Sequence, residues 1–266
     1  MSARSLWHDT LGETAAPRSP LPGPAAYDVA IVGAGFTGLW TAYYLSVADP
    51  TLRIAVLEAE VAGFGASGRN GGWCSALFPT PWSTLVRGSS PAEALRLHRA
   101  MAQTVVEVGR VAGAEGIDAH YARGGTLTLA RSAAQLVRLR AEVDVAHARG
   151  FDEHDLRLLS AHEARGRLAA RDVAGGLYTP HCAAIHPARL VRGLATAVES
   201  RGVSIFEHTR VHEIGPGFAR TDAGRVTADV VVRATEGYTA ALPGSRREIA
   251  PVYSLMVATE PLPDEV

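Results

Sequence analysis

Three glycines with the spacing Gly-x-Gly-x-x-Gly carry the clearest chemical signal in this sequence. Gly33, Gly35 and Gly38 directly follow an apolar run, and residues with helical periodicity come after them. The first glycine permits a tight turn, the second lets a pyrophosphate approach the backbone, and the third allows close packing of helix and strand. The phosphates would face unpaired amides at the positive end of the helix. The residues of this predicted dinucleotide turn are Gly33, Ala34, Gly35, Phe36, Thr37 and Gly38.

A carboxylate follows the glycine turn at the distance expected for a nucleotide site. Glu58 lies 20 residues after Gly38, near the end of the run RIAVLEAE. A carboxylate at this position accepts hydrogen bonds from the hydroxyls of an adenosine ribose. Glu60 could share the same face of an extended strand, and the spacing favours Glu58. These two features together fit either NAD or FAD.

The glycine-rich stretch GFGASGRNGGW, residues 63–73, favours FAD over NAD(P). It contains five glycines in eleven residues, whereas an NAD-binding fold normally continues straight into its next helix or strand. A loop of this length can lie along a flat ring system, its amides can cradle phosphate and flavin oxygens, and Ser67 can add a hydroxyl. The apolar residues Trp73, Leu77 and Phe78 just beyond it predict that the loop packs against the protein. An NAD(P)-dependent dehydrogenase is the less favoured alternative.

Other reactive side chains near these motifs have two interpretations each. Arg69 could stabilise an anionic reduced flavin, or it could serve only to solvate the loop. Cys74 could form a covalent flavin bond, but a core thiol is the favoured role, so noncovalent FAD is predicted. His181, Cys182 and His186 are three mixed ligands without a fourth, a poor set for zinc. No metal site is predicted. The sequence shows no recognisable Ser/His/Asp or Cys/His nucleophile arrangement, so the catalytic residues stay unassigned.

Composition excludes several other classes of function. The chain has 266 residues, 47% of them hydrophobic, and a formal net charge of −1 at pH 7. This balance argues against binding to nucleic acid or to an anionic membrane surface. No apolar run long enough for a membrane span is present, and the first residues lack the apolar core of a signal peptide. The two cysteines, far apart in sequence, suit a reducing compartment, and a cytoplasmic location is predicted.

The segments around the glycine turn predict an α/β fold. Residues 27–32 read as a buried strand, and residues 53–60 read as a second strand. Between them, apolar residues at helical spacing predict a helix that ends before Asp49 and Pro50. The residues of this apolar pattern are Phe36, Leu39, Trp40, Tyr43 and Val47.

A later part of the chain is predicted to return to the same domain. Pro187 begins a helix that Gly202 ends, and apolar residues at helical spacing are expected to face inward. These residues are Leu190, Val191, Leu194 and Val198. Strands separated by a turn at 222–224 follow. We therefore predict a Rossmann-like FAD-binding domain of the GxGxxG type, formed by residues 25–80 and 183–248.

The remaining segments are assigned to an inserted α+β substrate domain. Residues 91–116 read as a long helix, residues 117–132 as a hairpin bent at its two glycines, and residues 132–146 as another helix. Ser160 and Glu163 have the spacing of a capping box, and the segment GGLYTP reads as a strand. The run IAPVYSLMVATEPL reads as a strand that leaves again for this domain. Residues 81–182 and 249–266 form the predicted partial substrate domain, and residues 1–24 form an extended arm.

Five blocks of this sequence resemble the family of FAD-dependent amine and D-amino-acid oxidoreductases. Within it the likeness is strongest to the gamma-glutamylputrescine oxidases and their relatives. The blocks are DVAIVGAGFTGLWTAYYL, LEAEVAGFGASGRNGGW, ARGGTLTLA, AAIHPARLVRGLA and VVVRATEGYT. They lie between residues 28 and 240, so the resemblance covers most of the chain, and the first two blocks are specific together.

The resemblance implies cofactor roles for individual positions. The glycine turn would hold the FAD pyrophosphate, Glu58 the adenosine ribose, and the backbone of Val211 the adenine. Ala234 and Thr235 would pass close to the cofactor, although Glu236 stands where the family usually has glycine. The residues expected to line the flavin and its ribityl chain are Ala66, Ser67, Gly68, Asn70, Gly71 and Gly72.

The resemblance also implies a reaction and a missing part. The family oxidises the C–N bond of a small-molecule amine or amino acid. Hydride passes to flavin N5, the resulting imine is hydrolysed, and oxygen is reduced to peroxide. Relatives carry a further C-terminal stretch that completes the substrate sheet and covers the flavin, and the fold is predicted to be truncated here. The alternative function is therefore a catalytically incomplete FAD-binding fragment that needs a separate or missing C-terminal segment.

Overall fold

The computed structural model describes residues 5–12, 16–252, 255–257, 259, 260 and 263. The chain divides into two compact units. The first contains Met1–Gly71, Ala114–Ala119 and His186–Val266, and the second contains Gly72–Gly113 and His120–Ile185. The predicted domain boundaries lay at 81 and 182, whereas the units divide at 72 and 185. The described residues after 248 belong to the first unit.

The α/β class predicted from the sequence is confirmed. The strands are β1 Ala25–Val32, β2 Ile54–Leu57, β3 Trp73–Ser75, β4 Thr126–Ala130, β5 Arg157–Leu159, β6 Gly175–Thr179, β7 Cys182–Ala184, β8 Ser204–Phe206, β9 Val211–Gly215, β10 Phe218–Thr221 and β11 Gly224–Arg233. The α-helices are α1 Leu6–Asp9, α2 Phe36–Ala48, α3 Trp82–Gly88, α4 Pro91–Ala114, α5 Ala133–Ala148, α6 Ala161–Arg167 and α7 Pro187–Ser200. Two 3₁₀ turns cover Ala66–Gly68 and Glu236–Ala241. Among the described residues, none of the helices is long and apolar enough to cross a membrane.

The first unit is built on a six-stranded sheet in the order β8-β2-β1-β11-β10-β9. β1 pairs in parallel with both β2 and β11, and β2 pairs in parallel with β8. Val32, the last residue of β1, lies opposite Leu57 of β2 and Arg233 of β11. The residues that follow these three strands therefore leave the sheet at one edge, where ligands bind in open α/β sheets.

Helix α7 confirms the predicted apolar face. Its four predicted inward residues are all buried, and Pro187 occupies the first turn. The His186 ring caps the helix, since Nδ1 accepts a hydrogen bond from the Arg189 amide at 3.2 Å. Gly202 follows the helix with a φ of 87°, a conformation that favours glycine at a helix end.

Helix α2 buries a stripe different from the one predicted. Leu39 and Tyr43 are buried, but Val47 is 48% exposed. Small residues complete the stripe that faces α7 and the sheet, because they let these elements approach closely. The buried residues of the helix are Gly38, Leu39, Ala42, Tyr43 and Ser46.

The second unit contains a three-stranded antiparallel sheet, β4-β6-β5, and a two-stranded one, β3-β7. Two helices begin as the sequence indicates. Ser132 caps α5 by accepting from the Gln135 amide at 3.3 Å, and Ser160 with Glu163 forms a complete capping box on α6. These caps satisfy amides that the first turn of a helix leaves unpaired.

Three local predictions were wrong. Residues 117–132 do not form a hairpin, because β4 pairs with β6, 49 positions further on, and Ala122 makes a bridge to Ala184. The N-terminal arm is not extended throughout, since it contains the short helix α1. In the predicted strand at 249–262, residues 249–252 and 255–257 have no strand structure, and several of its other positions lie outside the described residues.

Candidate cofactor site

The glycine turn connects β1 to α2 at the carboxyl edge of the first sheet. Gly33 has a φ of 110°, and its amide donates to the Leu57 carbonyl at 2.8 Å. A Cβ on Gly33 would collide with the Ala234 carbonyl oxygen, and one on Gly38 would collide with the Gly33 carbonyl. These two glycines are therefore required by the packing of the turn itself.

Gly35 has a different neighbour from the one that the motif alone suggests. A Cβ at this position would lie 2.9 Å from Ser67 Oγ. The same Ser67 oxygen accepts a hydrogen bond from the Phe36 amide at 2.8 Å. Because the first amides of a helix lack intrahelical partners, Ser67 satisfies one of them and ties the glycine-rich loop to the start of α2.

Glu58 holds the same turn from the end of β2. Its Oε2 accepts from the Ala34 amide at 2.8 Å, and its Oε1 accepts from the Glu60 amide at 3.0 Å. Desolvation of the carboxyl raises the pKa of Glu58 above its ordinary value of 4.5, although the two amide hydrogen bonds pull the pKa down. The charges of Glu207 and Glu60 add smaller upward shifts. The carboxylate keeps further lone pairs for a ligand, since each oxygen can accept more than one hydrogen bond.

The glycine-rich loop is fixed by bonds within itself. Arg69 Nε donates to the Phe64 carbonyl at 2.7 Å, and its guanidinium lies 4.8 Å from the Phe64 ring centroid. Asn70 Nδ2 donates to the Ser67 carbonyl at 3.1 Å. Arg69 therefore supports the shape of the loop. These contacts favour a role within the loop over a direct role at the flavin.

The apolar residues Trp73 and Leu77 do not pack the loop against the protein, so this prediction was wrong. Trp73 is 66% exposed and Leu77 is 79% exposed, and only Phe78 is partly buried. The loop packs on other side chains instead, since a Cβ on Gly63 would meet Val191 and one on Gly65 would meet Tyr238. A run of apolar residue types after a loop does not identify their contacts, because the surface of a folded chain also contains many apolar atoms.

A cavity of about 450 Å³ lies at this edge of the sheet, within the size range of ligand pockets. It is lined by five segments: the glycine turn, the end of β2, the glycine-rich loop, residues 210–212 after β8, and the residues after β11. The predicted site residues that line it are Gly33, Gly35, Phe36, Thr37, Glu58, Ala66, Ser67, Val211, Ala234 and Thr235. The predicted residues outside its lining are Ala34, Gly38, Gly68, Arg69, Asn70, Gly71 and Gly72, of which Gly72 belongs to the second unit.

Several polar residues of the lining were not predicted. Arg210 pairs with Glu60 at 2.9 Å, and His212 pairs with Asp222 at 2.8 Å. Glu236 lines the cavity with a φ of 45°, the conformation that the family's usual glycine adopts without strain. The parallel pairing of β8 with β2 places residues 210–212 at this edge, and that of β11 with β1 places Glu236 there; these pairings are known only from the structure.

The other reactive side chains have structural partners. His181 Nε2 lies 3.0 Å from Asp155 Oδ1, His186 caps α7, and Cys182 is buried. Burial, with the Cys182 thiol nearby, raises the pKa of Cys74 to about 11, which disfavours its thiolate. In the described part of the chain, no group of three His, Cys, Asp or Glu side chains is placed to hold a metal ion.

Comparison with known proteins assigns this fold and site to a family. The family described as FAD dependent oxidoreductase matches residues 28–266. The chain therefore belongs to the FAD-dependent oxidoreductase family, and the cofactor of this family is FAD. This result agrees with the cofactor predicted from the glycine turn and the loop at 63–73, and it decides against an NAD(P)-dependent dehydrogenase.

The relatives reported below are named as oxidoreductases or oxidases. The chain is 29% identical to the probable oxidoreductase OrdL of Haemophilus influenzae, over 90% of this chain and 57% of that protein. It is 31% identical to the gamma-glutamylputrescine oxidoreductase of Escherichia coli, over 79% of this chain and 49% of that protein. The crystal structure of glycine oxidase from Geobacillus kaustophilus superposes with a TM-score of 0.62 at 26% identity, covering 84% of this chain and 58% of that one. The chain thus spans about half the length of the relatives that it matches.

Proposed function

We propose that this chain is the FAD-binding part of an enzyme that oxidises the C–N bond of an amine or amino acid. The observation that carries the proposal is the cavity of about 450 Å³ lined by the glycine turn, Glu58 and the residues after β11. Support for the reaction class comes from membership of the FAD-dependent oxidoreductase family and from relatives named for oxidation of amines and glycine.

The residues present fit the chemical groups of FAD. The turn from Gly33 to Thr37 presents helix amides and a close backbone to a pyrophosphate. Glu58 offers carboxylate lone pairs to ribose hydroxyls, and the backbone of Val211 is proposed to face the adenine. Ala66 and Ser67 with Ala234 and Thr235 line the remainder of the cavity, where the ribityl chain and flavin are proposed to lie.

Bound FAD supplies the hydride acceptor at flavin N5, with oxygen as the proposed final acceptor of the electrons as peroxide. The chain's own contribution is binding, orientation and the exclusion of water by apolar lining residues such as Phe36, Leu57 and Phe64. The substrate must present a neutral amine, whose C–N bond becomes an imine that water hydrolyses. We assign no general base, because the cofactor chemistry does not require one from this chain.

We further propose that residues 1–266 do not form a complete amine pocket. The motive is that the chain spans about half the length of its relatives. The second candidate function is accordingly an FAD-binding fragment that acts only with further polypeptide. Candidate amines for an assay are gamma-glutamylputrescine and glycine, the compounds in the names of two relatives.

Titration with FAD tests the proposed site directly. The wild-type chain is expected to bind FAD, and Gly35→Val is expected to weaken binding at least about tenfold, because its side chain would displace Ser67, which holds the amide at the start of α2. Gly113→Val is the matched control, since a Cβ there meets no atom within 4 Å. Far-UV circular dichroism should show that both variants fold. Equal FAD affinity of Gly35→Val and wild type would place the phosphates elsewhere.

The same preparation tests the noncovalent attachment. Acid denaturation is expected to release yellow flavin into the supernatant. Colour retained by the protein precipitate would contradict this expectation and would return attention to Cys74, the cysteine that follows the loop.

A further inference from the structure

Helix α1 lies against the glycine-rich loop through two hydrogen bonds. Ser5 Oγ donates to the Gly68 carbonyl at 2.9 Å, and Trp7 Nε1 donates to the Asn70 carbonyl at 2.7 Å. The His8 ring also contacts this part of the loop, since a Cβ on Gly68 would lie 3.0 Å from His8 Cε1. Both bonded carbonyls belong to the half of the loop that does not line the cavity.

A buried ring holds α1 in place. The Trp7 indole packs edge to face on the His186 ring, with their centroids 5.1 Å apart. Thr10 Oγ1 lies 3.1 Å from His186 Nε2, while Nδ1 of the same ring caps α7. Because His186 is only 5% exposed and is held at both ring nitrogens, it offers α1 a rigid support.

A second attachment lies at the other end of the loop. Glu207 is fully buried, and its Oε1 accepts from the Ala62 amide at 2.8 Å, one residue before the loop begins. The Arg18 amide donates to Oε2 at 2.7 Å and its guanidinium to Oε1 at 3.1 Å. Arg18 thus supplies the countercharge that an ionised carboxylate needs in a buried position. The Leu21 amide, bonded to Thr209 Oγ1 at 2.9 Å, continues this attachment into the core.

We propose that the N-terminal segment, residues 5–12 and 16–21, is a positioning element of the cofactor site that fixes the loop of residues 63–71. The loop carries Ser67, which holds the start of α2, and its first half lines the cavity. Glycine-rich loops lose much conformational entropy on ordering, and a loop ordered in advance leaves less of that cost to ligand binding. The inference rests on the proposed FAD site, because it assigns the segment a role in that site.

The alternative is that the segment only stabilises the whole fold. Trp7→Phe separates the two roles, because it removes the indole N–H and keeps an aromatic ring against His186. Ser5→Ala removes the other bond to the loop. Trp40→Phe is the matched control, since Trp40 is another half-buried tryptophan, whose ring contacts are Tyr43 and Tyr44 on its own helix.

Two measurements on the full 266-residue chain test the proposal. In the FAD-free chain, hydrogen exchange of the loop amides is expected to accelerate in Trp7→Phe and Ser5→Ala, while exchange in β1 stays at the wild-type rate. The FAD dissociation constant is expected to rise roughly three- to tenfold in each variant, as for the loss of one hydrogen bond. Trp40→Phe should change neither quantity.

The following results would contradict the proposed positioning role of the N-terminal segment or the proposed function. Unchanged loop exchange and affinity in both variants would overturn the proposal, and so would acceleration in β1 equal to that in the loop, which marks general destabilisation. If the wild-type chain binds no FAD, the proposed function fails. In that case, faster exchange confined to the loop would still establish the positioning contact, and its absence would refute it.

Discussion

Glu58 holds the glycine turn and also lines the candidate cofactor cavity. Its two oxygens accept the amides of Ala34 and Glu60, and the same carboxyl lines the cavity. Desolvation raises the pKa of Glu58 above 4.5 in spite of those bonds. Because the folded chain disfavours the ionised form, the carboxyl alone makes the FAD-free chain less stable as pH rises from 4.5 through the raised pKa.

Glu58→Gln tests the role of this carboxyl through pH. Ribose hydroxyls donate better to a carboxylate than to a carboxylic acid, so FAD affinity of the wild type should fall as pH decreases through the raised pKa of Glu58. The fall should therefore begin above pH 4.5. Glu58→Gln should bind FAD more weakly at pH 7, by about 1.5–3 kcal/mol, and should lack this part of the pH dependence. An identical pH profile in the variant would remove Glu58 from the ribose site.

At the level of secondary structure, the site depends on three parallel strand ends. Val32, Leu57 and Arg233 lie in register, so the next residues of each strand meet at one edge. Gly33 is the point of contact between two of these ends, because the Ala234 carbonyl occupies the space that a side chain would need. The turn after β1 and the end of β11 are therefore a single packed unit.

Gly33→Ala should destabilise the FAD-free chain, and Gly202→Ala is its matched control. Both glycines have a positive φ, 110° and 87°, but a Cβ on Gly202 would meet no atom within 4 Å. The free energy of unfolding of Gly33→Ala is expected to be lower than that of the control by about 1–3 kcal/mol, the cost of overpacking. Urea unfolding of the two variants measures the difference. Equal values would mean that the Ala234 segment moves away without cost.

At the level of the whole molecule, cofactor binding and turnover are expected to separate. The described cofactor cavity lies entirely within the first unit. The chain nevertheless spans about half the length of its relatives, so the walls of an amine pocket are the part that we expect it to lack.

Peroxide release tests this separation. The 266-residue chain, loaded with FAD, should release little or no peroxide with gamma-glutamylputrescine, glycine or related amines. A version extended by whatever coding sequence follows Val266 is expected to release peroxide in the same assay with the amine that is its substrate. Vigorous turnover by the shorter chain would show that residues 1–266 already form a complete active site.

The sequence by itself determined the features that depend on neighbouring residues. The strand, glycine turn and helix at 25–48, the capping box of Ser160 with Glu163, and the end of α7 at Gly202 agree with the prediction. Their energies are set within a few positions, by backbone sterics, unpaired helix amides and hydrophobic periodicity. The glycine turn and Glu58 also predicted a dinucleotide, and the glycine-rich loop at 63–73 favoured FAD, the cofactor of the family to which the chain belongs.

Only the tertiary structure decided which distant segments meet. Three contacts join residues between 32 and 189 positions apart. They are the pairing of β4 with β6, the contact of Gly35 with Ser67, and the bonds from Arg18 to Glu207. The exposure of Trp73 likewise depends on what the rest of the chain covers. The energy of each such contact depends on strand pairing, packing and charge neutralisation with residues far away in the sequence. A local sequence pattern therefore does not identify the distant partner.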